Sequence, residues 1–196
     1  MAKDTQGLVV AEARRLFYQY GFRKITMDEI ASGLRMSKKT LYTLFPNKDA
    51  LIRAVIGIIL EPNLGKISTL IQNEKTVAGF FSGSIAVFHG LSQCISEPMM
   101  SDMRTMPEIW REVETRRVKV LLGLRHVLER GKRSGEIRPG LHLDLFLKIF
   151  ILMVNAVGNP AVMIELNMKP SELADQIHDI FFHGIMSDGR GKRGAA

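Results

Sequence analysis

The chain of 196 residues holds one cysteine, Cys94, and one tryptophan, Trp110. A single thiol cannot close an intramolecular disulfide, which excludes the stapled design of small secreted domains. Long apolar runs are scarce as well. The longest, Leu145 to Val157, is interrupted by Lys148 and Asn155, and it falls short of the roughly 20 residues that span a bilayer. Residues 1 to 20 are amphipathic and carry Glu12 among their basic groups, unlike a secretory leader. A cytoplasmic protein with no membrane partner is expected. Clusters that carry chemistry are missing too. His89, His126, His142, His178 and His183 are scattered, and the closest two lie five residues apart, on different sides of a helix rather than on one metal-binding face. Gly90-Leu91-Ser92 opens like a nucleophile elbow, but Cys94 stands where the closing glycine belongs. No glycine-rich phosphate loop is found. The sequence offers no catalytic constellation, no metal site and no cofactor motif, so an enzyme is the least favoured function class.

What is present is positive charge, unevenly placed. Hydrophobic residues at 46% and charged residues at 24% describe an ordinary globular chain, and the formal net charge is +7. Residues 1 to 56 hold ten Lys and Arg against five Asp and Glu, whereas residues 57 to 187 balance at fourteen of each. The remaining excess lies in the last nine residues. A basic N-terminal region beside a neutral remainder is the electrostatic footprint of a phosphate-binding domain.

The stretch Thr26 to Asp49 reads as two short helices joined by a tight turn, with a third starting just beyond. Thr26 and Glu29 form a capping box, and Ile25 and Ile30 take the staple positions around it. Ser37 repeats the device for the second helix, with Met36 and Leu41 as staple, and Asn47 caps the third. Leu34, Arg35 and Met36 are left as the turn, which makes a helix-turn-helix. On its second helix Leu41, Leu44 and Phe45 define a buried face, so Lys38, Lys39, Tyr42 and Thr43 are free to face outward. Two lysines beside the free N–H groups of a helix start suit an anionic target, and Lys48 at the next helix start suits a backbone phosphate.

Thr26, Asp28, Ile30, Ala31, Ser37, Thr40-Leu41-Tyr42, Phe45 and Asn47-Lys48-Asp49-Ala50-Leu51 resemble the signature of TetR-type transcriptional regulators, and Leu16-Phe17 and Gly21-Phe22 extend the likeness over about the first 55 residues. The resemblance implies an all-α fold: a three-helix DNA-binding domain over residues 1–52 and a larger helical domain over 53–187 that binds a ligand and dimerises. It implies base contacts from Lys38, Lys39 and Thr43, and contacts to the DNA backbone from Thr26, Thr40, Tyr42 and Lys48, with Ser37 at the helix start. The partners implied are operator DNA, a small-molecule effector and a second copy of the chain. Two positions depart from the family pattern. Arg35 stands where a turn glycine is usual, and Leu44 where an aromatic residue or histidine is common.

Beyond the motif, Val9, Ala13, Leu16, Phe17 and Tyr20 mark a first helix over about Asp4 to Tyr20, closed by Gly21, with Phe22 folding back to the core. Pro62 is expected to kink or break the helix that starts at Asn47. Met99, Met100, Met103 and Met106 crowd one short segment. Methionine adapts to irregular apolar surfaces, so Met99, Met103 and Met106, with Phe80, Phe88 and Trp110, are candidate ligand contacts, while gap-filling core explains the same cluster equally well. Glu108 to Arg133 reads as one long helix, Leu141 to Val157 as a helix apolar on nearly all sides, and Ser171 to Met186 as the last. The final two resemble the pair that TetR-type proteins use for dimerisation, which points to Leu145, Ile149, Phe150, Met153, Ile177 and Phe181. Residues 188–196 read as a disordered basic tail. A ligand-independent DNA-organising protein of the same fold is the alternative that the sequence leaves open.

Overall fold

The computed structural model describes residues 2–186, so the expected tail lies outside the described residues. The described residues form helices joined by short turns, with no strand beyond an isolated bridge between Ile137 and Met186. They fall into two compact units: residues 2–62 with 93–112, and residues 63–92 with 113–186.

The first unit begins with α1 (Ala2–Tyr20), whose Val9, Ala13 and Phe17 are fully buried at helical spacing. Gly21 ends it at φ 83°, a left-handed value that costs glycine nothing, and its N–H returns to the Phe17 carbonyl at 2.8 Å. Phe22 then folds in, edge to face with Phe17 at 5.2 Å. Next come α2 (Met27–Gly33), α3 (Lys38–Leu44) and the start of α4 (Lys48–Asn73). Ile30, Leu41, Leu51, Ile52 and Val55 close the core between them. The unit also takes in α6 (Glu97–Met103), which packs on α1.

No break occurs at Pro62: α4 runs unbroken through it. The proline is exposed, and so is Ile58 one turn earlier, so the Ile58 carbonyl that loses its intrahelical donor faces water. By length and apolar content α4 could cross a membrane. Its apolar groups are spent otherwise, on the core of the first unit through Leu51, Ile52, Val55 and Ile59 and on that of the second through Ile67 and Ile71.

In the second unit α4 ends under Arg130, whose Nη2 donates to the Ile71 and Glu74 carbonyls at 2.9 and 2.8 Å, a cation on the negative end of a helix. Glu136 does the reverse for α5 (Val77–Ser92), accepting from the Val77 N–H at 2.8 Å. The long helix expected over Glu108 to Arg133 is two: α7 (Pro107–Leu121) and α8 (Leu124–Ser134). Gly123, the weakest helix former after proline, stands at the break, and a Cβ there would lie 3.2 Å from Ile71 Cγ2 of α4. Then follow α9 (Leu143–Val157), capped by His142, the short α10 (Pro160–Glu165), which the sequence reading passed over, and α11 (Pro170–Ile185). Helices α5 and α11 pack side by side, and rings of Phe81, Phe146, Phe150, Phe181 and Phe182 join them to α9.

Candidate nucleic-acid interface

The start of α2 is a closed reciprocal cap. The Glu29 N–H donates to Thr26 Oγ1 at 3.2 Å, and the Thr26 N–H and hydroxyl donate to Glu29 Oε2 at 2.7 and 2.8 Å. These donors hold the Glu29 carboxyl below the usual range, so the cap contributes fully above the ordinary carboxylate pKa and is lost as pH falls through the lowered value. The end of α2 is a Schellman turn: the Met36 N–H reaches the Ala31 carbonyl at 2.9 Å and the Arg35 N–H reaches that of Ser32 at 3.1 Å. Arg35 occupies the left-handed position at φ 51°. Arg35→Gly is therefore expected to stabilise the protein by up to about 1 kcal/mol, less the greater unfolded-state entropy of glycine. Thermal unfolding checks it, and a lower melting temperature would contradict the strain reading.

Ser37 caps α3 by accepting from the Thr40 N–H at 3.1 Å, with the Ser37 and Thr40 hydroxyls 2.8 Å apart. The helix turns Leu41 fully inward and leaves Lys38, Lys39, Thr40, Tyr42 and Thr43 exposed, as the spacing implies. Tyr42 is 46% exposed, a large ring with no place in the fold's own core. The Thr43 hydroxyl donates back to the Lys39 carbonyl at 2.8 Å. Lys38 and Lys39 differ. Lys38 Nζ sits 2.5 Å from Asp28 Oδ2 on α2, which holds its pKa above the usual lysine value, whereas among the described residues no side chain pairs with Lys39.

Asn47 accepts from the Ala50 N–H at 2.8 Å and so caps α4. Lys48 is half-buried, and its Nζ donates to the Arg23 carbonyl at 3.1 Å. Loss of water there pulls its pKa down, with Asp102, Glu29 and Asp49 pulling the other way. Asp102 of α6 also accepts from the Arg23 N–H at 2.8 Å, so the loop after α1 is tied from two sides.

The sequence profile of the bacterial regulatory proteins of the tetR family matches residues 9–55. An uncharacterized HTH-type transcriptional regulator of Bacillus subtilis (strain 168), YvaF, is 27% identical over 194 residues, covering 92% of this chain and 95% of the relative. Residues 9–55 are thus a tetR-type regulatory segment, and the chain as a whole is similar to HTH-type transcriptional regulators. Solved TetR-like folds match it across its length. SmeT, the repressor of the Stenotrophomonas maltophilia multidrug efflux pump SmeDEF, superposes with a TM-score of 0.72 at 17% identity, over 97% of this chain and 94% of its own. A transcriptional regulator from Saccharomonospora viridis in complex with choline gives 0.71 at 12% identity, over 95% and 100%. SmeT has also been solved with triclosan.

Of the residues that composition suggested for ligand contact, Phe88 alone lines the cavity of the second unit, together with Phe81, Ile85, Phe150, Leu173 and Ile177 among others. Phe80 is 2% exposed in the core beside it. Met99 and Met103 are buried in the first unit, which also contains Met106 and Trp110, because α6 packs on α1 and draws the methionine cluster into that core. Arg117, Ser84 and His178 reach the cavity and were missed: a charged residue at the edge of an apolar stripe reads as solvated until the packing is known.

The suggested dimer residues divide as well. Leu145 and Ile149 point outward at 57% and 47% exposure, and Leu152 and Ile180, which the reading passed over, are exposed too. Phe150 instead faces its own core at 8% exposure, with its ring 5.3 Å from Phe181, while Met153, Ile177 and Phe181 lie partly buried against the same cluster.

Proposed function

We propose that this protein is a TetR-type regulator, a homodimeric repressor released from a palindromic operator by a small, largely apolar ligand. The observation that carries the DNA half is the outward set Lys38, Lys39, Thr40, Tyr42 and Thr43 on an α3 capped by Ser37. In this reading Lys38, Lys39 and Thr43 meet base edges, and Thr26, Ser37, Thr40, Tyr42 and Lys48 hold the backbone. Dimerisation is supported by the apolar stripe Leu145, Ile149 and Leu152 on α9 with Ile180 on α11, large side chains that a monomer would leave in water. Two copies would set their α3 helices about 34 Å apart, one turn of duplex. Ligand response is supported by the phenylalanine-walled cavity, and SmeT and the Saccharomonospora regulator hold small molecules in the same fold. A ligand favouring a different separation of the two α3 helices would release the DNA by its differential affinity for that state.

The test is operator binding by fluorescence anisotropy across a small-molecule library. Release by a compound that binds the second unit is the expected result. Tight operator binding that no bound compound alters would leave a ligand-independent DNA-organising protein. Lys48→Ala is expected to weaken specific and non-specific DNA alike, to reduce the salt slope by about 0.9, and to cost about 1 kcal/mol of stability through the lost bond to Arg23. An unchanged slope in a salt titration would remove Lys48 from the phosphate contacts.

A further inference from the structure

A carboxylate from outside the three-helix motif reaches into it. Helix α6 is anchored in the first unit by Met99 and Met103, at 3% and 9% exposure, and the Thr105 hydroxyl holds its end by donating to the Asp102 carbonyl at 2.8 Å. The helix lies close against the loop after α1: a Cβ at Gly21 would stand 2.5 Å from Asp102 Oδ2 and 3.2 Å from the Pro98 carbonyl oxygen. Asp102 is half-buried there, and its Oδ2 accepts from the Arg23 N–H at 2.8 Å. The carbonyl of the same Arg23 accepts from Lys48 Nζ at 3.1 Å. One residue of main chain therefore joins a carboxylate on α6 to the ammonium at the start of α4. A backbone N–H bonded to a carboxylate is charge-assisted, roughly twice as strong as a neutral hydrogen bond. Burial strips water from the Lys48 ammonium, and among the charges that offset this loss Asp102 stands first, ahead of Glu29 and Asp49.

We infer that Asp102 is a positioning residue for DNA binding: it fixes the main chain of Arg23, whose carbonyl aims the Lys48 ammonium at a backbone phosphate. This rests on the proposal that Lys48 meets a phosphate, and it adds a residue of the segment 93–112 to a reading head that the sequence alone places within residues 1–52. A lysine ammonium has three donors, so the bond to Arg23 leaves two for phosphate oxygens. A free lysine side chain gives up rotamer freedom when it is immobilised on a ligand. One that is already tethered has lost that freedom on folding, and DNA binding costs correspondingly less. The sign of the Asp102 charge makes the role separable from electrostatics. A carboxylate beside a phosphate contact repels DNA, so removal of the charge by itself would tighten binding. A loss of affinity when the side chain is removed therefore reports the geometry that it imposes.

The test is a double-mutant cycle on the full-length protein, with affinity for a mixed-sequence DNA duplex read by fluorescence anisotropy and folding checked by circular dichroism. Asp102→Ala is expected to weaken binding about threefold to tenfold, the cost of ordering one long side chain on the DNA. Asp102→Asn keeps an oxygen for the Arg23 N–H and is expected to bind as tightly as wild type or more so. In the Lys48→Ala background Asp102→Ala should change affinity by less than about twofold, because the lysine through which it acts is gone. Asp102→Glu holds the charge constant and shifts the carboxylate by one methylene; it should weaken binding in the same Lys48-dependent way, and it carries the test if Asp102→Ala does not fold. Unchanged affinity in both Asp102→Ala and Asp102→Glu, tightening by Asp102→Ala as by Asp102→Asn, or an equal loss with and without Lys48 would each overturn the inference. Lys48→Ala alone separates the two levels. If it leaves affinity and salt slope where they were, the phosphate contact fails and the inference with it. If it weakens binding and lowers the slope while Asp102→Ala has no effect, the contact stands and the positioning role fails.

Discussion

Leu145→Glu combined with Ile149→Glu is expected to yield a folded monomer whose operator affinity is lower by about a hundredfold to ten-thousandfold, the factor that tethering two half-site readers supplies. Both side chains point away from their own core, at 57% and 47% exposure, so in an isolated chain the two glutamates would be solvated and unfolding free energy would change little. In a dimer that buries the stripe, each carboxylate would lose water without gaining a partner, a penalty of about 3 to 5 kcal/mol per group. Phe150→Glu makes the contrast. At 8% exposure, stacked on Phe146 and edge-on to Phe81 and Phe181, Phe150 belongs to the core of the second unit, and its replacement is expected to unfold that unit outright. Analytical ultracentrifugation with circular dichroism checks both variants. A wild-type monomer at micromolar concentration, or a double variant that remains a dimer, would dismiss the α9 stripe as the interface.

The second large effect concerns Lys39. With no side chain paired to it among the described residues, its ammonium is available at the first turn of α3, and Lys39→Ala is expected to cost about 1 to 3 kcal/mol in specific binding. Lys38→Ala should cost less. Its ammonium is already 2.5 Å from Asp28 Oδ2, so DNA must compete with an existing partner. Asp28→Asn follows with the opposite sign: removing the competitor frees the Lys38 ammonium for its base edge and should tighten DNA binding. Anisotropy titrations at several salt concentrations measure all three. Equal losses for Lys38→Ala and Lys39→Ala, with no gain from Asp28→Asn, would mean that the pair opens without cost when DNA arrives.

The N-terminal unit was legible because its boundaries are set by local chemistry. Thr26 with Glu29, Ser37 with Thr40 and Asn47 with Ala50 are bonds between near neighbours, so the sequence contains both partners within one turn. The left-handed Arg35 was legible through the resemblance instead, because a glycine is usual at that turn position. What failed to be legible depends on distant partners. Gly123, at the α7–α8 break, lies close against Ile71, fifty-two positions away, and Pro62 leaves α4 intact because of which side faces water. The methionine cluster could not be assigned from composition, as Met99 and Met103 fill a core that exists only once α6 meets α1. A helix as apolar as α9 hides its outward stripe: Leu145, Ile149 and Leu152 are spaced like the inward Phe146, Phe150 and Val154. Arg117 shares the helical stripe of Val113, Val120 and Leu124, which Arg116 does not, but spacing alone does not say that this stripe borders a cavity.

The most direct test of DNA reading by α3 is selection of duplexes from a random pool by the full-length protein, run in parallel with a variant in which Lys39, Tyr42 and Thr43 are alanine. These side chains are exposed, so the variant should keep its fold and melting temperature. Wild type is expected to enrich an inverted repeat whose half-sites lie about one helical turn apart, while the variant retains weak, salt-sensitive binding and enriches nothing. Enrichment of the same repeat by the variant, or of no sequence by wild type, would contradict the assignment of α3 as the reading helix.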